Sequence, residues 1–280
     1  MSLGNNLKVS IITVCYNAEK HIEQAIQSVL AQTYKNIEYI IVDGQSTDST
    51  MTIINKYRNH ITKIVSEKDS GIYAAMNKGI KLSQADILYF LNSDDRLYDC
   101  HVLDNIISAF NRDKSVDLIY GKVEFTEVPS ELFLTLKRNN FQYKNKLSLF
   151  LKSVNPQQCW FSKRNIFEKI GLFDASYKIC SDYDWFLRCA KGGMKMMYLD
   201  QYIAYVSFQG RSFTQRYNVI NEKIKAVYNN SSLIEFFIYF IYASFRKMIH
   251  IFLEHFITPL MMQIKRKDNK NQKPGPKNSF

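Results

Sequence analysis

Glycine is scarce in this chain of 280 residues, ten in all, and the ten are scattered. They form neither G-x-G-x-x-G nor G-x-x-x-x-G-K-[ST], which excludes the usual dinucleotide fingerprint and the P-loop. Cysteine is sparse as well. Cys15, Cys100, Cys159, Cys180 and Cys189 are odd in number and make no C-x-x-C pair. That pattern argues against a disulfide framework or a structural zinc and points to a reducing cytoplasm. His21, His60, His101, His250 and His255 show no metal-ligand spacing, and no Ser or Cys has an evident His partner for nucleophilic catalysis. The N-terminal "MSLGNNLKVS" lacks the basic-then-apolar order of a signal peptide, so the expected location is cytoplasmic.

What is present is a chain 46% hydrophobic, enough for one large domain with appendages. The net charge is +11, but five of those charges sit in residues 263–280, where Lys265, Arg266, Lys267, Lys270, Lys273 and Lys277 face only Asp268. A basic tail that also holds Pro274, Gly275 and Pro276 is expected to be disordered and to meet anionic lipid rather than a defined nucleic-acid site. Before it, residues 233–262 carry a narrow polar stripe of Glu235, Tyr239, Tyr242, Arg246, His250 and Glu254, with nearly everything else apolar. Their uncharged runs fall short of the roughly 18 residues that span a bilayer. Two readings stand side by side: an amphipathic helix or helix pair in a membrane interface, or a helix packed on the main domain or on a partner copy as a homodimer.

The first half alternates strands with helices. Lys8–Tyr16, Ile37–Asp43, Ile61–Glu67 and Asp86–Asn92 read as strands. Ile22, Ala25, Ile26, Val29 and Leu30 make a helical stripe after the first, a helix with Thr47 or Ser46 as N-cap follows the second, and Gly71–Ser83 is a helix after the third. Later, Asp117–Phe125, Glu131–Arg138, Met194–Asp200 and Tyr202–Phe208 read as strands, Trp160–Asp174 as a strand and short helix, and Ser181–Gly193 as a helix stopped by Gly192 and Gly193. This alternation predicts an α/β fold with a Rossmann-like, mainly parallel central sheet, helices on both faces and a C-terminal helical segment.

Polar residues collect where successive strands end. Tyr16 and Asn17 follow the first strand, Asp43 ends the second, "SEKDSGIYAAMNKG" follows the third, and Asp94 and Asp95 follow the fourth. Each has an ordinary reading as a turn former, cap or helix end. Together, on one edge of a sheet, they define a ligand crevice.

"VSIITVCYNAEKHIEQAIQSVLAQTYKNIEYIIVDGQSTDST", "SEKDSGIYAAMNKGI", "ADILYFLNSDD" and "GLFDASYKICSDYDWFLR" together closely resemble family-2 glycosyltransferases of the GT-A fold, over roughly residues 7–215. The resemblance implies a nucleotide-sugar-binding half at 7–115 and an acceptor half at 116–215; C-terminal amphipathic helices at 216–262 and the basic tail at 263–280, read from pattern and charge, follow it. It makes "NSDD" the metal motif, with Asp94 and Asp95 holding Mn²⁺ or Mg²⁺ against the donor's diphosphate. Donor binding is implied for Thr13, Tyr16, Asn17, Asp43, Asp69, Asn77, Lys78, Asn92, Ser93, Asp95 and Arg211, with Lys68 as an alternative to Lys78 for the positive charge. Met76 stands where many members have Arg, and Asn92 where the first Asp of the motif is common. Asp182 matches the general base, and Gln157, Gln158, Trp160 and Asp184 fall in the acceptor region. Ser181 and Asp184 also suit a capping box, and Trp160 also suits a core tryptophan.

The expected activity is metal-dependent, inverting transfer of a sugar from a nucleotide diphosphate, a UDP-sugar by family habit, to a glycan or lipid-linked hydroxyl in polysaccharide synthesis. Two alternatives remain: a nucleotidyltransferase, although "TVCYNAEK" offers no glycine-rich phosphate loop, and a non-catalytic scaffold of the same fold held at a membrane by its C-terminal segment.

Overall fold

The structure is a computed structural model that describes residues 6–126, 128, 156–208 and 216–252. Two compact units divide the chain, Met1–Ser231 and Ser232–Phe280.

The first unit is built on an eight-stranded sheet of β1 (Val9–Cys15), β2 (Ile37–Asp43), β3 (Lys63–Ser66), β4 (Ile87–Phe90), β5 (Arg96–Leu97), β6 (Leu118–Thr126), β7 (Trp160–Lys163) and β8 (Met196–Ser207). The spatial order is β3-β2-β1-β4-β7-β6-β8-β5. β1 runs parallel to β2 and β4, and β2 to β3, as the strand–helix alternation predicts. β7 is antiparallel to both β4 and β6, β6 is parallel to β8, and β5 is an antiparallel edge. Every residue of β1 and β4 is buried. An unbroken apolar run of this kind marks a strand covered on both faces.

Helices α1 (Ile22–Leu30), α2 (Thr50–Lys56), α3 (Ile72–Leu82), α4 (Val102–Arg112), α5 (Asn165–Ile170), α6 (Ser181–Lys191) and α7 (Arg216–Asn230) flank this sheet. α3 lies close on β1, because a Cβ at Gly79 would come within 2.4 Å of Ile12 Cγ2. Beneath α6, Phe167 stacks on Trp185 at 4.3 Å, and Phe173 meets Phe90 at 5.3 Å and Phe167 at 5.5 Å.

Several sequence expectations change. The two late strands are one, β8, which pairs with β6 on both sides of a register shift between Tyr198 and Tyr202. α2 begins at Thr50 rather than after Thr47 or Ser46, and Asp48 Oδ1 accepts the Thr50 N–H at 2.9 Å. The expected strand Glu131–Arg138 lies outside the described residues.

The second unit contributes α8 (Leu233–Phe252), whose Ser232 and Glu235 form a reciprocal cap, Ser232 N–H to Glu235 Oε2 at 2.8 Å and Glu235 N–H to Ser232 Oγ at 3.3 Å. Among the described residues no helix is long and apolar enough to cross a membrane.

Candidate active site

A cleft of about 1040 Å³ opens at the C-terminal ends of β1, β2 and β4. It gathers Tyr16, Asn17, Asp69, Asn92, Ser93, Asp94, Asp95, Gln157, Gln158, Trp160 and Asp182 of the expected site residues.

Its first wall is the pair of loops leaving β1 and β2. Asn17 and Gln45 both have positive φ, 48° and 65°. Asn tolerates that region, whereas Gln is held there against its preference, as residues at binding sites often are. Asn17 joins the two loops, its N–H donating to Ser46 Oγ at 2.8 Å and its Oδ1 accepting the Thr47 N–H at 2.9 Å. Gly44 lets the Asp69 carboxylate and the Tyr16 ring converge: a Cβ there would stand 3.3 Å from Asp69 Oδ2 and 3.5 Å from Tyr16. Tyr16 itself is 58% exposed, a flat apolar face open to the cleft.

The floor is the four-residue turn Asn92–Asp95, closed by the Asp95 N–H on the Asn92 carbonyl at 3.2 Å. It follows β4 directly and enters β5, which pairs with β8. Asp95 Oδ1 accepts the Ser207 N–H at 2.9 Å, while Oδ2 is buried with no hydrogen-bond partner. Burial pushes both carboxyls above the usual range, and the neighbouring Asp94 pushes Asp95 further; the charge of His21 acts in the opposite sense on Asp94. An orphaned carboxylate oxygen beside a second carboxylate fits a hard divalent cation. Among the described residues no three His, Cys, Asp or Glu side chains converge, so such an ion would complete its shell with phosphate and water oxygens, as Mg²⁺ and Mn²⁺ readily do.

The far wall comes from α6, the 3₁₀ turn Gln157–Cys159 and α7. Asp182 sits in the first turn of α6, with Oδ1 accepting the Tyr183 N–H at 2.9 Å and facing the Tyr73 hydroxyl at 3.1 Å. Burial raises its pKa, opposed by those two donors and by Lys223. Gln157 Nε2 is buried without an acceptor, and Trp160, 4% exposed, packs on Phe186 at 4.5 Å.

Other expected site residues do not line the cleft. The Thr13 hydroxyl is buried against Tyr39 OH at 3.2 Å. Asp43 is fully buried, and its carboxylate takes Ser46 N–H at 3.0 Å, Ser66 OH at 2.6 Å and the Ser46 hydroxyl, which shapes the β2 loop. Asn77 bridges the Phe173 main chain, donating to its carbonyl at 2.8 Å and accepting its N–H at 3.0 Å. Lys78 pairs with Glu67 at 2.7 Å, and of these two candidate lysines it is Lys68 that lines the cleft. Asp184 is saturated by Arg188 Nε and Asn230 Nδ2, each at 2.9 Å, so it anchors α6 to α7. Arg211 lies outside the described residues.

The capping box expected at Ser181 is also absent. Ser181 Oγ is buried without a partner, and the N–H groups of Lys178, Ile179 and Cys180 are met by the Glu222 carboxylate at 2.8–2.9 Å. Sequence reasoning missed Tyr73, Lys178 and Lys223, which also line the cleft. Tyr73 lies inside the quoted "GIYAAMNKG" block, whereas nothing local marks Lys223 on α7.

The family model of glycosyl transferase family 2 matches residues 10–171. A PGL/p-HBAD biosynthesis glycosyltransferase of Mycobacterium bovis is 29% identical over 186 residues, covering 64% of this chain and 68% of the relative. An uncharacterised glycosyltransferase of Rickettsia typhi is 38% identical over 184 residues, 64% of this chain and 57% of its own. In fold, the chain is similar to S. aureus TarS 1-349 in complex with UDP-GlcNAc, with TM-score 0.62, 21% identity, and 81% and 68% of the two chains covered. A similar likeness, TM-score 0.64 at 17% identity over 82% of this chain and 67% of the other, links it to the mannosyltransferase PcManGT of Pyrobaculum calidifontis in complex with GDP-Man and Mn²⁺. A layered α/β sheet with polar strand ends, in the arrangement of GT-A glycosyltransferases, thus carries the matching sequence, and the nucleotidyltransferase alternative falls away. The chain belongs to glycosyl transferase family 2.

Proposed function

We propose that the cleft transfers a sugar from a UDP-sugar, with inversion, to a hydroxyl of a glycan or lipid-linked acceptor. The observation that carries this reading is the buried, unpartnered Asp95 Oδ2 in the same cleft as a carboxylate of raised pKa, Asp182. Perturbed acids on the floor and on the far wall of one cleft suit a metal site and a base. TarS, solved with UDP and with UDP-GlcNAc, supports the uridine choice, and PcManGT, solved with Mn²⁺, supports the cation.

In this reading Tyr16, Asn17 and Asp69 hold the nucleoside end, and Lys68 lies beside them. A divalent cation held by Asp94 and Asp95 supplies positive charge where the leaving diphosphate gains negative charge. The acceptor oxygen attacks the anomeric carbon opposite the diphosphate. A new C–O bond forms, the C–O bond to the phosphate breaks with its electron pair leaving on the diphosphate, and the hydroxyl proton passes to Asp182. General-base help of this kind is worth about 10²–10⁴-fold.

The protein is proposed to work at a membrane surface. Leu233, Ile234, Phe237, Ile241 and Phe245 of α8 are each more than half exposed, and the basic residues 263–280 follow in the sequence.

Thermal stability against UDP, GDP, CDP and ADP, with and without Mn²⁺, tests the donor. A ligand at a hundred times its Kd adds about 2.7 kcal/mol, enough to move Tm visibly. Stabilisation by UDP that needs Mn²⁺ is expected; indifference to all four nucleotides overturns the reading.

A further inference from the structure

Tyr73 stands near the start of α3, yet its hydroxyl reaches the first turn of α6. It approaches the main-chain carbonyl of Ile179 at 2.5 Å and, at the longer distance of 3.1 Å, Asp182 Oδ1. The ring is 5% exposed and rests against Phe173 at 5.8 Å, so its place does not depend on the hydroxyl alone. Asp182 Oδ1 is therefore held from two sides, by Tyr73 and by the Tyr183 N–H at 2.9 Å. Oδ2 is the oxygen left to meet a substrate.

A phenol has one proton, and Tyr73 faces two acceptors. While Asp182 is ionised, its Oδ1 is the stronger acceptor, because hydrogen bonds to charged oxygens are roughly twice as strong. Once Oδ2 has taken a proton that advantage disappears, and the Ile179 carbonyl can claim the hydroxyl. The bond from Tyr73 thus favours the ionised carboxylate over the neutral acid.

We infer that Tyr73 is a positioning residue for Asp182: its hydroxyl fixes Oδ1, turns Oδ2 towards the acceptor and keeps the buried carboxylate in the form that accepts a proton. This rests on the reading of Asp182 as the base. The other groups facing Asp182 are Lys223 from α7, which favours the anion, and the Cys180 thiol on its own stretch, whose pKa burial and Asp182 push up. Glu222, also from α7, is engaged by the N–H groups of residues 178–180.

The test is Tyr73→Phe in the full chain, which keeps the ring and removes the hydroxyl. The kcat for UDP release from the UDP-sugar, with water as acceptor and saturating Mn²⁺, is followed from acid to alkaline pH. Loss of one charge-assisted bond moves the acidic limb upward by about one pH unit, a tenfold loss on the acid side that vanishes on the alkaline side. Nucleotide affinity stays unchanged. Site-specific 3-fluorotyrosine at position 73, a stronger donor, moves the limb the other way and stands in if Tyr73→Phe does not fold. A ¹³C-aspartate titration, with the Asp182 signal assigned through Asp182→Asn, reads the same displacement without turnover. A loss equal at every pH, or profiles and titrations that superimpose on the parent, overturns the inference. Turnover retained in Asp182→Asn instead overturns the base assignment itself, so the two failures are told apart.

Discussion

The Ser207 N–H donates to Asp95 Oδ1 at 2.9 Å, so the last residue of β8 fixes the rotamer of a carboxylate on the turn after β4. One oxygen is spent on that bond and the other, buried, is left over. Asp95→Asn keeps an oxygen for Ser207 and should leave the fold intact, while removing the charge that a cation needs. Asp94→Asn removes the more exposed partner. Each is expected to weaken Mn²⁺ binding by roughly 10- to 100-fold or more, read as loss of the Mn²⁺-dependent part of nucleotide stabilisation. Unchanged Mn²⁺ affinity in both variants would place the ion elsewhere.

Asp182→Asn should separate stability from activity. Burial raises the folded-state pKa of Asp182, so its protonated form is the one folding favours. The stability it contributes is fully present below the unfolded value of about 3.9 and is lost as pH rises through the raised folded value. Above that raised value the ionised side chain is a cost, and the asparagine variant should melt higher than the parent there, with the difference shrinking in acid. Transfer should fall by about 10²–10⁴-fold with UDP binding retained. A lower Tm above the raised pKa would contradict the sign.

Much of this arrangement was legible in the sequence, because buried parallel strands and helical stripes have unmistakable periods. β1, β2 and β4 fall within a residue or two of their expected bounds, and the polar residues that follow β1 and β4 line one cleft, whereas Asp43 at the end of β2 does not. What spacing cannot show is which polar group is consumed by a distant neighbour. Asp43 looks like a ligand group until Ser46 and Ser66 close around it. Asp184 looks like a cap until Arg188 and Asn230 claim it, and Glu222, some forty residues downstream, holds the N–H groups of the segment that leads into α6. Tyr73 was hidden for the converse reason: in sequence it is one more apolar position of α3, and only its reach to Asp182 distinguishes it.

The edge strand β5 is two residues long, yet it carries the exit of the aspartate turn. A continuous stack braces it. Arg96 lies 4.1 Å over Tyr205, Tyr205 stacks on Tyr98 at 4.7 Å, Tyr98 on Tyr202 at 4.9 Å, and Lys122 lies 4.8 Å over Tyr202. With their faces occupied by one another, these rings act as a clamp rather than a sugar platform. Tyr98→Ala removes the middle ring and should cost about 1–3 kcal/mol, two aromatic pairs at 0.5–1.5 each. Urea unfolding measures it, and a parallel weakening of Mn²⁺ binding should accompany it; full stability would show the stack to be idle.

Gly79 tests how closely α3 must lie on β1. A methyl there meets Ile12 Cγ2 at 2.4 Å, and Ile12 is 1% exposed with no room to retreat. Gly79→Ala should therefore destabilise by about 1–3 kcal/mol despite alanine's better helix propensity. Because Tyr73 rides on the same helix, kcat should fall as well. A stabilised variant, the outcome propensity alone would give, would mean that α3 shifts freely.

The second unit offers a separate test. Phe237, Ile241 and Phe245 recur every fourth residue along α8, and all three are exposed. An apolar stripe of this kind left in water loses the free energy of burial, about 25 cal/mol per Å². A membrane interface would supply that burial, and the basic residues 263–280 would add attraction to anionic headgroups, about 1 kcal/mol per Lys or Arg near the surface. The full chain should co-sediment with phosphatidylglycerol vesicles, less so in high salt, and hardly at all with phosphatidylcholine. Phe237→Glu, Ile241→Glu and Phe245→Glu together should abolish that binding while leaving UDP and Mn²⁺ stabilisation of the first unit unchanged. Equal sedimentation of parent and triple variant would remove the membrane from the proposal. Loss of binding together with a change from dimer to monomer, seen by light scattering without vesicles, would instead make a second copy of the chain the natural cover for α8.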